Sequence, residues 1–219
     1  MTSLATACEP VDGGADRVAV LSREEIRTVV GSFQQVGFRL PDEQRVHIAL
    51  TLGEVAGDDV ITRVHSECLT GDVFGSRKCD CGEQLQAAMS AVSAAGRGVI
   101  VYLRGHEGRG IGLINKLKAY ALQQAGLDTV DANIALGLPV DARDYRAASG
   151  VLRELGVRSV ALLTNNPDKV EHLAHAGIRC VRTIPMRSAS HEHNHRYLQT
   201  KVDRLGHSGL IDLPLGEIA

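Results

Sequence analysis

Over the first third of the chain, apolar positions alternate with polar or small ones. Val46, Ile48, Leu50 and Leu52 interleave with His47, Ala49 and Thr51. That two-residue period predicts a strand whose buried face is the Val46–Leu52 set. Upstream, Ser22 and Glu25 have the spacing of a capping box, but Thr28-Val-Val and the break at Gly31 favour strands. Gly57-Asp58-Asp59 makes a turn, and Val60 to Val64 reads as the next strand.

Beyond Cys81 the period lengthens. Leu85, Ala88, Met89 and Val92 mark one face of a helix that Gly96 ends. Val99 to Leu103 is a continuous apolar run, as in a buried strand. Arg104 to Gly110 is a polar, glycine-rich loop. A helix follows over Ile111–Ala125, with Ile114, Leu117 and Ala121 as its apolar side and Gly126 as its end. Leu138 to Asp141 breaks the pattern before a helix over Tyr145–Leu155, stopped by Gly156. Val160–Leu163 is another buried strand. Asn166 and Pro167 then supply a cap and a first-turn proline for a helix to Ala176. Gly177 stops it, Ile178–Ile184 returns as a strand, and a last helix falls within Glu192–Leu205. Strand, helix and strand in this order require a parallel pairing. The fold class expected is therefore α/β: a mixed sheet flanked by helices, with a β-rich N-terminal third, in a single domain.

A chain of 219 residues, 44% hydrophobic, can bury a core without disulfides. Aromatics make up 3% and Trp is absent, so Leu, Val, Ile and Ala must fill that core. The net charge of −2 argues against a general nucleic-acid binder, but leaves room for a local basic pocket. No apolar run reaches membrane-spanning length, and Met1 to Asp16 lacks the features of a signal peptide. A cytoplasmic protein is expected. There, clustered cysteines are metal ligands sooner than disulfides. Of the five, Cys8 reads as a tail thiol and Cys180 as a buried strand thiol.

The other three, Cys68, Cys79 and Cys81, lie within one short stretch. Thiolates suit Zn²⁺, and Cys79 and Cys81 flank a single residue, so a tight turn can aim both at one point. Two readings stay open from spacing alone. Four protein ligands would make a structural site, whereas three leave a place for water, as in the zinc deaminases. His65 lies an odd number of strand residues from Cys68, which weakens it as the fourth ligand. The loop Arg104–Gly110 offers two arginines and three glycines before a helix, an anion-binding arrangement. Its Glu107 suits the two adjacent N–H groups of a guanine edge instead. Thr164-Asn-Asn-Pro-Asp-Lys169 sits where a strand meets a helix, the edge at which α/β sheets bind ligands. Asp141 and Arg143 read on their own as a salt-bridged turn, Tyr120 as packing, and His191 to His195 as a solvated loop.

Together these segments resemble a known family. Arg63-Val-His-Ser-Glu-Cys-Leu-Thr-Gly-Asp72, Arg77-Lys-Cys-Asp-Cys-Gly82, Glu107-Gly-Arg-Gly-Ile-Gly-Leu113, Asn115-Lys116, Tyr120-Ala-Leu-Gln123 and Leu163-Thr-Asn-Asn-Pro167 occur in the order found in GTP cyclohydrolase II. The likeness runs from about Val46 to Gly206. It implies that the imidazole ring of GTP is opened, C8 leaves as formate and pyrophosphate is released, the first step of riboflavin biosynthesis. It also implies one Zn²⁺ per subunit, Mg²⁺ with GTP, a homodimer, and neither nucleic acid nor membrane as partner. Carried over by position, Cys68, Cys79 and Cys81 are the zinc ligands. Arg63, Val64, His65, Ser66, Glu67, Gln84, Glu107, Gly108, Arg109, Thr129, Thr164 and Lys169 contact GTP. Asp141 is the proton acceptor, Arg143 the nucleophile, and Tyr120 serves ring opening. A guanidinium stays protonated far above neutrality, so Arg143 can alternatively stabilise charge. Where many members have Arg-Gln-Glu, this chain has Arg104-Gly-His-Glu107, one residue longer. The domain bounds expected are a flexible leader over 1–16, a catalytic domain over 17–206 and a C-terminal tail over 207–219, in a monofunctional protein. Two alternatives share these residues: a paralogue that opens the ring but keeps the formyl group or serves a specialised pathway, and a non-enzymatic nucleotide sensor with a structural zinc.

Overall fold

The computed structural model describes residues 17–207. The expected leader, Cys8 and residues 208–219 of the expected tail lie outside them. Among the described residues, seven strands form one sheet. They are β1 (Ala19–Thr28), β2 (Gly31–Arg39), β3 (His47–Leu52), β4 (Val60–Ser66), β5 (Gly98–Leu103), β6 (Ser159–Leu163) and β7 (Arg179–Ile184). Their order is β1-β2-β3-β5-β4-β6-β7. The first four in that order pair antiparallel, and β5, β4, β6 and β7 pair parallel. The mixed α/β sheet and the β-rich first third are as the pattern predicts. No helix of the described residues is long and apolar enough to cross a membrane.

The helices are α1 (Leu69–Asp72), α2 (Cys81–Ala95), α3 (Leu113–Gln124), α4 (Thr129–Ala135), α5 (Arg146–Glu154), α6 (Pro167–His175) and α7 (His195–Leu205). Asn166 caps α6 by accepting from Asp168 N, and Gly96 ends α2 in the left-handed conformation. α5 and α6 cover one face of the sheet, where Ala148, Val151, Leu152 and Leu173 pack with Val36, Phe38, Ala49, Val64 and Val101. α2 covers the other, where Met89 and Val92 pack with Phe33 and Ile100.

Two faces differ from expectation. β3 alternates as predicted, but His47, Ala49 and Thr51 are its fully buried set. Leu50 and Leu52 are only partly buried, under α2. Because helices cover both faces of the sheet, hydrophobicity does not distinguish them. His47 is tolerated inside because Nε2 meets Glu43 Oε2 at 3.0 Å and Nδ1 accepts from Arg104 N at 3.1 Å. On α3 the apolar side is turned out: Ile114 is 72% exposed and Leu117 53%, while Lys116 and Ala119 are buried. Lys116 is drawn in by buried partners described below. Cys180 is only half-buried, because β7 is the outer strand of the parallel half. α4 had no counterpart in the apolar pattern; its signal is Asp128, whose carboxylate accepts from Asp131 N as an N-cap.

Chain direction around β4 positions the site. From β4 the chain runs through α2 to β5 on one side. From β6, on the other side of β4, it runs through α6 to β7. Connections thus leave β4 and β6 toward opposite faces, and a crevice opens at the carboxyl ends of these strands.

Candidate active site

Three loops meet in that crevice. One follows β4 and carries Glu67 to Asp80, one follows β5 and carries Arg104 to Gly112, and one follows β6 and carries Thr164 to Asn166. The cavity they enclose is lined by residues from all three. Two of its corners have contrasting chemistry.

At the first corner, Cys68 precedes α1, and Cys79 and Cys81 lead into α2. Their sulfurs lie within 4.8 Å of one another. The Cys68 and Cys79 sulfurs are 3.8 Å apart. Zn–S bonds of about 2.3 Å at tetrahedral angles place neighbouring sulfurs about 3.8 Å apart, so the spacing fits one zinc-sized ion. Gly71 makes the space: a Cβ there would lie 2.8 Å from the Cys79 sulfur and 3.2 Å from that of Cys68. Among the described residues no fourth His, Cys, Asp or Glu joins the cluster. His65 turns away, with Nε2 on Asp72 Oδ1 at 3.1 Å. Lys116 Nζ donates to Cys68 Sγ at 3.2 Å, to Thr70 Oγ1 at 2.9 Å and to Glu107 Oε1 at 2.5 Å. Hydrogen bonds from the two other thiols, with the Lys116 ammonium beside them, hold Cys68 far down as a thiolate. The Cys68 thiolate in turn pushes Cys79 up to about 11, and Cys81 is raised too. A bound metal displaces those protons.

The second corner gathers cations. Arg63, buried on β4, donates to Leu163 O at 2.9 Å and to Gln84 Oε1 at 2.7 Å. Lys169, buried on α6, donates to Val64 O at 2.8 Å. These partners are neutral oxygens. Burial, with Arg63 and Arg143 close by, drives the Lys169 pKa well below the ordinary lysine range. Arg109 has φ 65 and a buried terminal nitrogen without a partner. Arg143 is tied to both carboxylate oxygens of Asp141, with Nε at 2.9 and 3.0 Å. Burial opposes its charge, but those bonds outweigh it and raise its pKa. A buried cluster of cations with neutral or missing partners suits an anionic ligand.

The cavity brings together most of the residues read from the sequence. Arg63, His65, Ser66, Glu67, Gln84, Gly108, Arg109, Tyr120, Thr129, Arg143, Thr164 and Lys169 line it with the three cysteines. Val64, Glu107 and Asp141 stand behind the wall. Val64 is core, and Asp141 is bonded to Arg143. Glu107 is buried with one oxygen on Leu69 N at 2.8 Å and the other on Lys116. Thr164 Oγ1 accepts from Asn166 N at 3.1 Å, a capping contact. The Tyr120 hydroxyl lies 3.4 Å from Thr70 Oγ1. Of the loop's two arginines only Arg109 reaches the cavity; Arg104 is exposed, 3.8 Å from Glu67.

Several lining residues carried no site assignment from sequence. Lys116 entered only as part of the Asn115-Lys116 motif. His106 was read only as a lengthened loop, yet its ring is buried in the wall, with Nδ1 3.1 Å from Ser66 Oγ. Burial, then Arg143 and Lys169, push it down to about 3 and keep it neutral. Behind the wall, fully buried Asp80, between two of the cysteines, accepts from Gln84 Nε2 at 2.6 Å, Ser188 Oγ at 3.1 Å and Lys201 Nζ at 2.5 Å.

Comparison with known proteins bears on the same segments. The profile of the GTP cyclohydrolase II family matches residues 19–185. The chain is 60% identical over 178 residues to GTP cyclohydrolase-2 of Neisseria gonorrhoeae, covering 81% of this chain and 89% of that protein. It is 52% identical over 206 residues to the riboflavin biosynthesis protein RibBA of Nocardia farcinica, covering 93% of this chain and 50% of that one. The three loops that form the crevice all fall inside the matched region, and on that extent and identity the chain belongs to the GTP cyclohydrolase II family.

Proposed function

We propose that the protein is a GTP cyclohydrolase II of riboflavin biosynthesis, acting in the cytoplasm. It converts GTP to the diaminopyrimidinone carrying a phosphoribosylamino group, with release of formate and pyrophosphate. Family membership sets the reaction. The observation that carries the reading to particular residues is that a three-thiol metal corner and a cation corner line one cavity. Cys68, Cys79 and Cys81 would hold one Zn²⁺, which would supply the acidified water that ring opening needs as its nucleophile. Mg²⁺ enters with GTP, as hard cations do with phosphate oxygens.

The chain's own groups do the rest. Arg63, Arg109 and Lys169 neutralise the triphosphate, whose charge offsets the burial that lowers the Lys169 pKa. Gln84 fixes the Arg63 fork. Glu107 serves the guanine end by holding the loop Gly108–Arg109 against α1 and by charging Lys116. The raised pKa of Arg143 supports a stabiliser of the transferring phosphoryl group over a nucleophile, with Asp141 setting its orientation. Tyr120 relays a proton during ring opening, a role supported by its position beside Thr70 and near Lys116. Purified protein incubated with GTP, Mg²⁺ and Zn²⁺ should yield formate and pyrophosphate. Absence of both from folded, zinc-loaded protein overturns the reading. A retained formyl group in the product's mass identifies instead a paralogue that stops after ring opening.

We also infer a homodimer. The outward side of α3, with Ile114 and Leu117, and Phe74 at 71% exposure support it. Ile114→Asp with Leu117→Asp should shift the sedimentation coefficient from dimer to monomer. An unchanged coefficient removes that face from the interface.

A further inference from the structure

The family match ends at residue 185, yet the chain beyond it builds a wall of the cavity. Tyr197 and Lys201 on α7, and His207 just after it, line the same space as Arg109, Arg143 and Lys169. The helix is anchored along its length. Leu198 is fully buried, and Arg196 donates to Gly126 O. Lys201 is paired with buried Asp80, and Arg204 donates to Asp128 Oδ2 at 2.8 Å.

The end of α7 aims one side chain inward. Gly206 takes the left-handed conformation, φ 64, and the His207 amide bonds back to Lys201 O at 3.1 Å. His207 Nδ1 is buried and has no partner. The charged groups acting on this ring are cations: Lys201, Lys169, Arg109 and Arg143. Arg109 also has a buried nitrogen without a partner. Two orphaned nitrogens among converging cations lack one thing, an anionic acceptor. Burial and those cations hold the imidazole down to about 3, so it is neutral and can carry its proton on Nδ1.

We propose that His207, delivered by α7, is a substrate-binding residue that donates from Nδ1–H to a polyphosphate oxygen alongside Arg109. This rests on the GTP reading, and it adds the segment after residue 185 to the site. α7 is the positioning element: its Lys201–Asp80 pair ties the helix to the turn between Cys79 and Cys81, and so fixes where His207 falls.

The test uses the full, zinc-loaded chain titrated with inorganic tripolyphosphate by calorimetry, with zinc content and circular dichroism as controls. His207→Ala should weaken tripolyphosphate binding about tenfold or more, as expected on losing a hydrogen bond to a charged group. His207→Gln, which keeps a donor, should hold most of the affinity. Both should retain zinc. In turnover, H207A should raise the KM for GTP more than it lowers kcat. Unchanged tripolyphosphate affinity in H207A overturns the proposal, and so does equal loss in both variants. Tripolyphosphate binding is read without turnover. A wild type that makes no formate therefore removes the cyclohydrolase reading, whereas this one stands or falls on the titration.

Discussion

At the thiol corner, each charged group has a partner within the protein. Cys68 shares a proton network with two other thiols, and Lys116 faces it while Glu107 holds Lys116. At the cation corner, Arg63 and Lys169 are bonded to carbonyl oxygens, and Arg63, Arg109 and His207 keep unpartnered nitrogens. One corner is prepared for a cation that displaces protons and then stays. The other is prepared for an anion that must come and go. The lesson is that buried polar groups are arranged by what they will meet, and that an incomplete set of partners points to a ligand.

The comparison breaks most sharply at the thiols. Cys79→Ser should abolish zinc binding and lower formate release by about a thousandfold or more, the several kcal/mol a catalytic metal supplies. Gly71→Ala should do the same by placing a methyl among the sulfurs. Zinc analysis beside a formate assay checks both, and a zinc-replete Gly71→Ala protein would contradict the packing described. Next comes Arg143→Ala, which should cut pyrophosphate release about a hundredfold or more while zinc is retained. Undiminished release removes Arg143 from the phosphoryl step.

Subtler changes sharpen the contrast. Lys116→Met should weaken zinc about ten- to a hundredfold, as loss of a group bonded to a ligand does, and leave tripolyphosphate binding unaltered. Equal effects on both ligands would show that the corners are not separate. Proton linkage gives the smallest and most direct signal. Near neutral pH, zinc should release about two protons, from Cys79 and Cys81, so its affinity rises with pH. Tripolyphosphate should instead raise the lowered pKa of Lys169, so that its binding takes up protons and its affinity falls as pH rises. Titrations in buffers of different ionisation enthalpy read both signs.

What the sequence disclosed follows this division. The thiol corner was legible because its ligands lie close in the chain and their chemistry is narrow. Strands and helices were legible where one period held, as in α2 and β5. The buried face of β3 was not, because both faces are packed and Leu50 looks no less apolar than Ala49. Nor was the burial of Lys116, which depends on Glu107 and Cys68 arriving from other loops. Lys201 fell within the expected last helix and His207 within the expected tail, with no site role; only the fold brings them to Asp80 and Arg109. Gly71 shows its reason only when the sulfurs surround it.

The bond from Lys169 to Val64 O joins residues 105 apart in the chain, whereas Cys68 and Cys79 are 11 apart. The two corners therefore carry very different loop-closure costs. On a growing chain, the metal ligands are complete once α2 has emerged, before β6, α6 and α7 have been made. A metal bound by the three thiols, as proposed, would precede the polyphosphate site, and it would serve as a nucleus onto which the second half of the sheet is added.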